Sequence, residues 1–140
     1  MRPKIILGIL VILLIITIVY DGPKKSTPTA KPITNSVVIT KTDSRLGEYL
    51  ATPKGLPLYV DNQDTDKTSN CLVSCLSTWP AYGNTSNAAN LPVNFSAFKR
   101  SDTGSLQFAY KNHPLYTFVD DSASKMAGPG VSPLFKLATP

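Results

Sequence analysis

The chain is 140 residues long, 42% apolar and 16% charged, with a net charge of +5. That size fits one ordinary domain with an accessory segment and excludes a large multi-helix enzyme. One Trp, six Tyr and five Phe exclude disorder throughout, and two cysteines exclude a disulfide-rich miniprotein.

Residues 5–20 read IILGILVILLIITIVY, with no charge and only Gly8 and Thr17 as interruptions. As a helix this run spans roughly 24 Å, and Lys4, Lys24 and Lys25 can snorkel to cover the rest of a bilayer core. A soluble helix would show a polar face, and this one shows none. Arg2 and Lys4 precede the run, no small-residue cleavage triplet follows it, and no cysteine follows for lipid attachment. The segment reads as an uncleaved single-pass signal anchor. Residues 1–4 form a short cytoplasmic tail, and the remainder is exported.

Residues 21–35, DGPKKSTPTAKPITN, have three prolines and nothing to pack, which predicts an extended spacer. The charge is unevenly spread. Residues 1–35 hold five basic groups and one acid, whereas residues 36–140 hold nine and eight, a net of +1. The basic balance therefore belongs to the anchor and spacer. It suits anionic head groups or surface polymers, and nucleic acid is not an expected partner.

From residue 36 the apolar residues come in short runs between turn residues, which predicts an all-β, mainly antiparallel domain over 36–140. Ser36–Thr40 is β-branched. Leu46–Ala51 and Leu56–Val60 flank Thr52-Pro53-Lys54-Gly55, as a hairpin would. Ser105–Tyr110 and Pro114–Val119 flank Lys111-Asn112-His113 as a second hairpin, and Leu134–Leu137 can close a sheet. Eight prolines in this region leave room for little more than a helical turn near the cysteines.

The two hairpins share a phrase. Pro57-Leu58-Tyr59 has Asp64 five residues after its tyrosine, and Pro114-Leu115-Tyr116 has Asp121 five after its own. Trp79 follows Asp64 by 15 residues and Phe135 follows Asp121 by 14. Two copies, about 46–80 and 105–137, predict a pseudo-symmetric pair of hairpin units with a shared core, because one hairpin is not stable alone.

Tyr116-Thr117-Phe118-Val119-Asp120-Asp121 resembles the Tyr-x-(Phe/Trp/Tyr)-x-x-Asp motif of a largely uncharacterised family of exported bacterial proteins, often lipoproteins, known as secreted repeats. Tyr59 to Asp64 matches it at both ends and has Asp61 where an aromatic belongs. Cys71, Cys75, Trp79-Pro80 and Gly128-Pro129-Gly130 extend the likeness over roughly 36–140, although no lipobox is present and Phe135 replaces a usual tryptophan. The resemblance implies an envelope location and a β-rich repeat fold, and no established reaction.

Several residues are candidates for chemistry. Cys71 and Cys75 suit a structural disulfide in an oxidising exterior, with a redox-active pair as the second reading. Tyr59, Asp64, Tyr116, Phe118 and Asp121 are either a pair of equivalent ligand sites or, as strand tyrosines and turn aspartates commonly are, packing devices. Asn62, Asp64, Asp66 and Thr68 alternate as in a calcium loop, but Lys67 stands where the turn glycine belongs and Val73 where the closing glutamate belongs, so a solvated acidic turn is the simpler expectation. The single histidine, His113, has no evident catalytic partner. No metal or cofactor is expected, and no enzymatic activity. The sequence thus predicts a membrane-anchored extracytoplasmic module. It would contact the bilayer through 5–20 and act as a binding or structural element towards envelope or surface polymers or proteins. The alternative is a thiol–disulfide or electron-transfer accessory protein using Cys71 and Cys75.

Overall fold

A computed structural model describes residues 36–140 apart from Asn87 and Asn90. They belong to a compact unit spanning Ile33–Pro140. The expected tail (1–4), transmembrane segment (5–20) and spacer (21–35) lie outside the described residues. Among the described residues no helix is long and apolar enough to cross a membrane. The elements are β1 (Ile39–Asp43), β2 (Gly47–Ala51), β3 (Tyr59–Asp61), α1 (Val73–Leu76), β4 (Phe95–Lys99), β5 (Leu106–Tyr110), β6 (His113–Pro114) and β7 (Phe135–Leu137). All strand pairings are antiparallel, and α1 is the expected helical turn at the cysteines.

β1 and β2 form the first hairpin, in register from Ile39↔Ala51 to Asp43↔Gly47. Its turn is chemically determined. The Asp43 carboxylate accepts the N–H groups of Arg45 (2.8 Å) and Leu46 (3.0 Å), and Gly47 takes a left-handed φ of 79°. The strand expected at Ser36–Thr40 starts instead at Ile39, because Val37 and Val38 are drawn into the core ahead of it. The hairpin expected between 46–51 and 56–60 forms only at its base. The Thr52–Gly55 turn closes through Gly55 N–H to Thr52 O (2.8 Å), and Ala51 bridges Pro57. Beyond that point β3 turns away and pairs with β7, Tyr59↔Leu137 to Asp61↔Phe135.

The second copy builds a sheet in the order β4-β5-β6. The β5–β6 hairpin joins the two runs expected to pair, through Ala109↔Pro114 and Tyr110↔His113, and its turn is held by left-handed Lys111 and Asn112. β4 adds a strand to those the sequence predicts, held against β5 over five register pairs.

The copies are interlocked rather than adjacent. Tyr59 and Tyr116 exchange backbone hydrogen bonds, each N–H donating to the other's carbonyl at 2.9 Å. On either side of this pair the last strand of each copy closes the other copy. Tyr82 N–H donates to Leu115 O (2.8 Å) and Thr117 N–H to Pro80 O (2.9 Å), which binds the end of the first copy to the second. Ala138 N–H donates to Leu58 O (2.9 Å) and Asn62 N–H to Leu134 O (2.9 Å), which binds the end of the second copy to the first. β3 therefore pairs across the copies rather than within a hairpin of its own, and the core is shared between them. One core cluster joins Val37, Val38, Leu50 and Leu58 to Phe108, Leu115 and Ala138, and the other joins Tyr59, Cys71 and Trp79 to Tyr116, Phe118 and Phe135.

Candidate functional site

The repeated motif meets itself at the centre of the domain. Tyr59 and Tyr116 are both fully buried, placed by the Pro-Leu-Tyr runs whose alternation also buries Leu58 and Leu115 on the opposite face. The Tyr59 hydroxyl donates to Asp121 Oδ2 at 2.8 Å, and the Tyr116 hydroxyl donates to Asp64 Oδ2. Each tyrosine thus bonds the aspartate of the other copy. The second carboxylate oxygen serves the same purpose in both copies: Asp64 Oδ1 accepts Asn70 N–H (2.6 Å), and Asp121 Oδ1 accepts Ala127 N–H (2.6 Å) and Gly128 N–H (3.1 Å). Equivalent turns place the two acids, Asp64 N–H reaching Asp61 O and Asp121 N–H reaching Phe118 O at 3.2 Å each.

Burial, and then the neighbouring carboxylate, push both phenols above the ordinary tyrosine range, so they are held as protonated donors. Burial likewise raises Asp64, against the pull of Asn70 N–H and the Tyr116 hydroxyl. Four polar side chains are in this way satisfied by one another and by backbone, as buried polar groups must be.

Aromatic rings pack around these pairs. Trp79 and Phe135, the matching residues of the two copies, stack with centroids 4.0 Å apart and planes 1° apart. Tyr59 meets Trp79 edge-on at 5.1 Å, Tyr116 meets Phe135 edge-on at 5.3 Å, and Phe118 lies 4.7 Å from Trp79. Phe118 is therefore a ring of this cluster. Its counterpart Asp61 is buried too, but its carboxylate accepts Gln63 N–H (2.9 Å) in a local turn.

Arg100 is a residue that sequence reasoning missed. Its guanidinium is buried and uses both edges. Nε and Nη2 fork onto Asp102 at 2.9 and 2.8 Å, Nη1 reaches Ser69 Oγ (3.0 Å) and Gln107 Oε1, and Nη2 also reaches Cys71 O (2.6 Å). Burial opposes this charge, but the Asp102 fork outweighs it and raises the guanidinium further, while Arg100 in turn lowers Asp102. Gln107 passes the network on by donating to Leu115 O (2.9 Å), and Ser69 Oγ lies 2.7 Å from the Tyr116 hydroxyl. In sequence, Arg100 looks like one more surface cation beside Lys99. Only the two-residue spacing to Asp102 hints at a pair.

Cys71 and Cys75 are joined in a disulfide, their Cα atoms 5.2 Å apart, with Cys71 buried and Cys75 half-buried. The bridge closes the turn that carries Cys71 O to Arg100. The alternating oxygens of 62–68 do not converge on a point: Asp64 faces inward to Tyr116, whereas Asn62, Asp66 and Thr68 are exposed. No group of three His, Cys, Asp or Glu side chains among the described residues lies close enough to hold a metal ion. His113 is exposed at the β5–β6 turn.

The geometry matches what comparison of the sequence shows. The model of a family described as a secreted repeat of unknown function matches residues 40–82 and again 97–134, the two interlocked copies. Neither the curated proteins nor the solved structures contain a match to the chain. Two copies of the repeat account for more than half of the chain, which therefore belongs to this secreted-repeat family.

Proposed function

We propose that the protein is an extracytoplasmic module of the cell envelope, tethered by the apolar stretch at 5–20 and carried clear of the bilayer by the spacer at 21–35. Its domain acts as a binding or structural element and catalyses no reaction. The observation that carries this reading is that the repeated Tyr-Asp motif, the most distinctive polar feature of the chain, is turned inward and satisfied across the two copies. An inward motif supports a scaffold whose contacts are made by its outer surface. The Cys71–Cys75 bridge suits an oxidising exterior, and the family description is that of a secreted protein.

Protease shaving of intact cells, with mass detection of the released fragment, tests the reading. The expected result is a fragment close to 36–140 with its disulfide intact, released by cuts in the spacer. Recovery of the full chain from the cytosol with both thiols reduced would overturn it. Half-buried Cys75 is the feature that favours the thiol-exchange alternative. Resistance of the bridge to mild reductant supports the scaffold, whereas reduction near the poise of the compartment supports exchange.

A further inference from the structure

Many of the contacts that hold the domain together run between the copies, alongside the β1–β2 and β4–β5–β6 ladders within them. Besides the paired tyrosines and aspartates, Arg100 of the second copy holds Ser69 and Cys71 O of the first. Lys67 N–H donates to Asn112 O (2.9 Å), and Lys41 Nζ donates to Ala123 O (3.0 Å). The stacked Trp79 and Phe135 come one from each copy. The covalent connection between the halves is the single segment 83–94, which joins Tyr82, on one side of β5 through Phe108 N–H, to β4 on the other. Extended, its dozen or so residues would reach on the order of 40 Å. Nothing in the interface between the halves depends on which chain supplies each half.

We propose that the two repeats are exchangeable halves, so that residues 36–82 of one chain close on residues 95–138 of a second copy and the reverse, giving a dimer of two complete domains. Exchange of identical elements creates no new interface. It reproduces every hydrogen bond and ring contact named above, so monomer and dimer differ in the entropy of association and in whether 83–94 keeps the packing of Ala88 and Leu91 on the core. The partner is a second copy of this chain, because only the same motif offers an aspartate and a closing strand in the matching places.

The test uses two full-length variants in detergent solution, Val60→Cys and Lys136→Cys, each carrying a different tag. Val60 and Lys136 are register partners across β3 and β7, one from each half, and Val60 is half-buried while Lys136 is exposed. Partners in an antiparallel pair lie about 4.5–5.5 Å apart at Cα, within the range a disulfide can bridge. The variants are mixed, unfolded and refolded together at high concentration under mild oxidation. Exchange predicts covalent heterodimers in about half of the dimers, as random mixing of two chains requires. The Val60→Cys/Lys136→Cys double variant, refolded dilute, must bridge within one chain, which shows that the fold and the site are intact. Val93→Cys mixed with Lys136→Cys measures random collision, since Val93 is 86% exposed and lies outside both halves. Monomers alone from the mixture, alongside an internally bridged double variant, would overturn the proposal. So would cross-linking no greater than that of the Val93→Cys control.

Discussion

Tyr116 and Arg100 fix the polar interior, and each makes a specific prediction. Tyr116→Phe removes the hydroxyl that donates to Asp64 Oδ2 and a partner of Ser69 Oγ while keeping the ring in place. It should lower stability by about 1–3 kcal/mol, read as a fall in the urea midpoint at constant slope, because a buried acceptor is left unmade. Two of the perturbed acids, Asp102 and Asp64, oppose each other as pH changes. Asp102 is lowered by Arg100, so its contribution is present at neutral pH and is lost as pH falls through its folded value. Asp64 is raised by burial, so its contribution is present in acid and is lost as pH rises through its folded value. Urea midpoints from pH 7 to pH 3 should therefore fall less steeply in Asp102→Asn than in the parent. An unchanged slope would show that the Asp102 fork is not a source of acid sensitivity.

The elements show what was legible beforehand and what was not. The Thr52–Gly55 and Lys111–His113 turns, the β5–β6 pairing and the helical turn at the cysteines could all be read locally, because a few adjacent residues determine each. The departure of β3 toward β7 could not. Its register is set by partners some 75 residues away, and nothing in Tyr59–Asp61 distinguishes a strand that continues its hairpin from one that leaves it. Residue types at the centre were equally legible, since the doubled tyrosines and aspartates stand out. That each tyrosine would meet the other copy's aspartate was not, because either pairing satisfies the same spacing. Two predictions belong at this scale. Reduction of Cys71–Cys75 opens a loop of only a few residues and should cost about 2 kcal/mol, several degrees in Tm, without unfolding the domain. Gly128→Ala would set a methyl group 2.6 Å from the Tyr59 hydroxyl oxygen and 3.1 Å from Phe118 Cβ. It should destabilise by about 1–3 kcal/mol through overpacking, measured by thermal melt.

At the scale of the whole molecule, interlocking makes stability a joint property of the copies. Trp79, the sole tryptophan, stacks on Phe135 of the other copy, so its fluorescence reports closure of both. Unfolding followed by Trp79 and by far-ultraviolet circular dichroism should coincide in a single transition. A separate early loss of the tryptophan signal would mean that the copies open independently. The interlocking also bears on how such a chain can change over evolutionary time. In a stacked solenoid, one unit can be gained or lost while its neighbours survive. Here a lone unit would have an unmatched carboxylate, an orphaned phenol and a bare strand edge open to aggregation. Duplication and deletion in a lineage built this way should proceed by twos, and drift in either copy is constrained by the other.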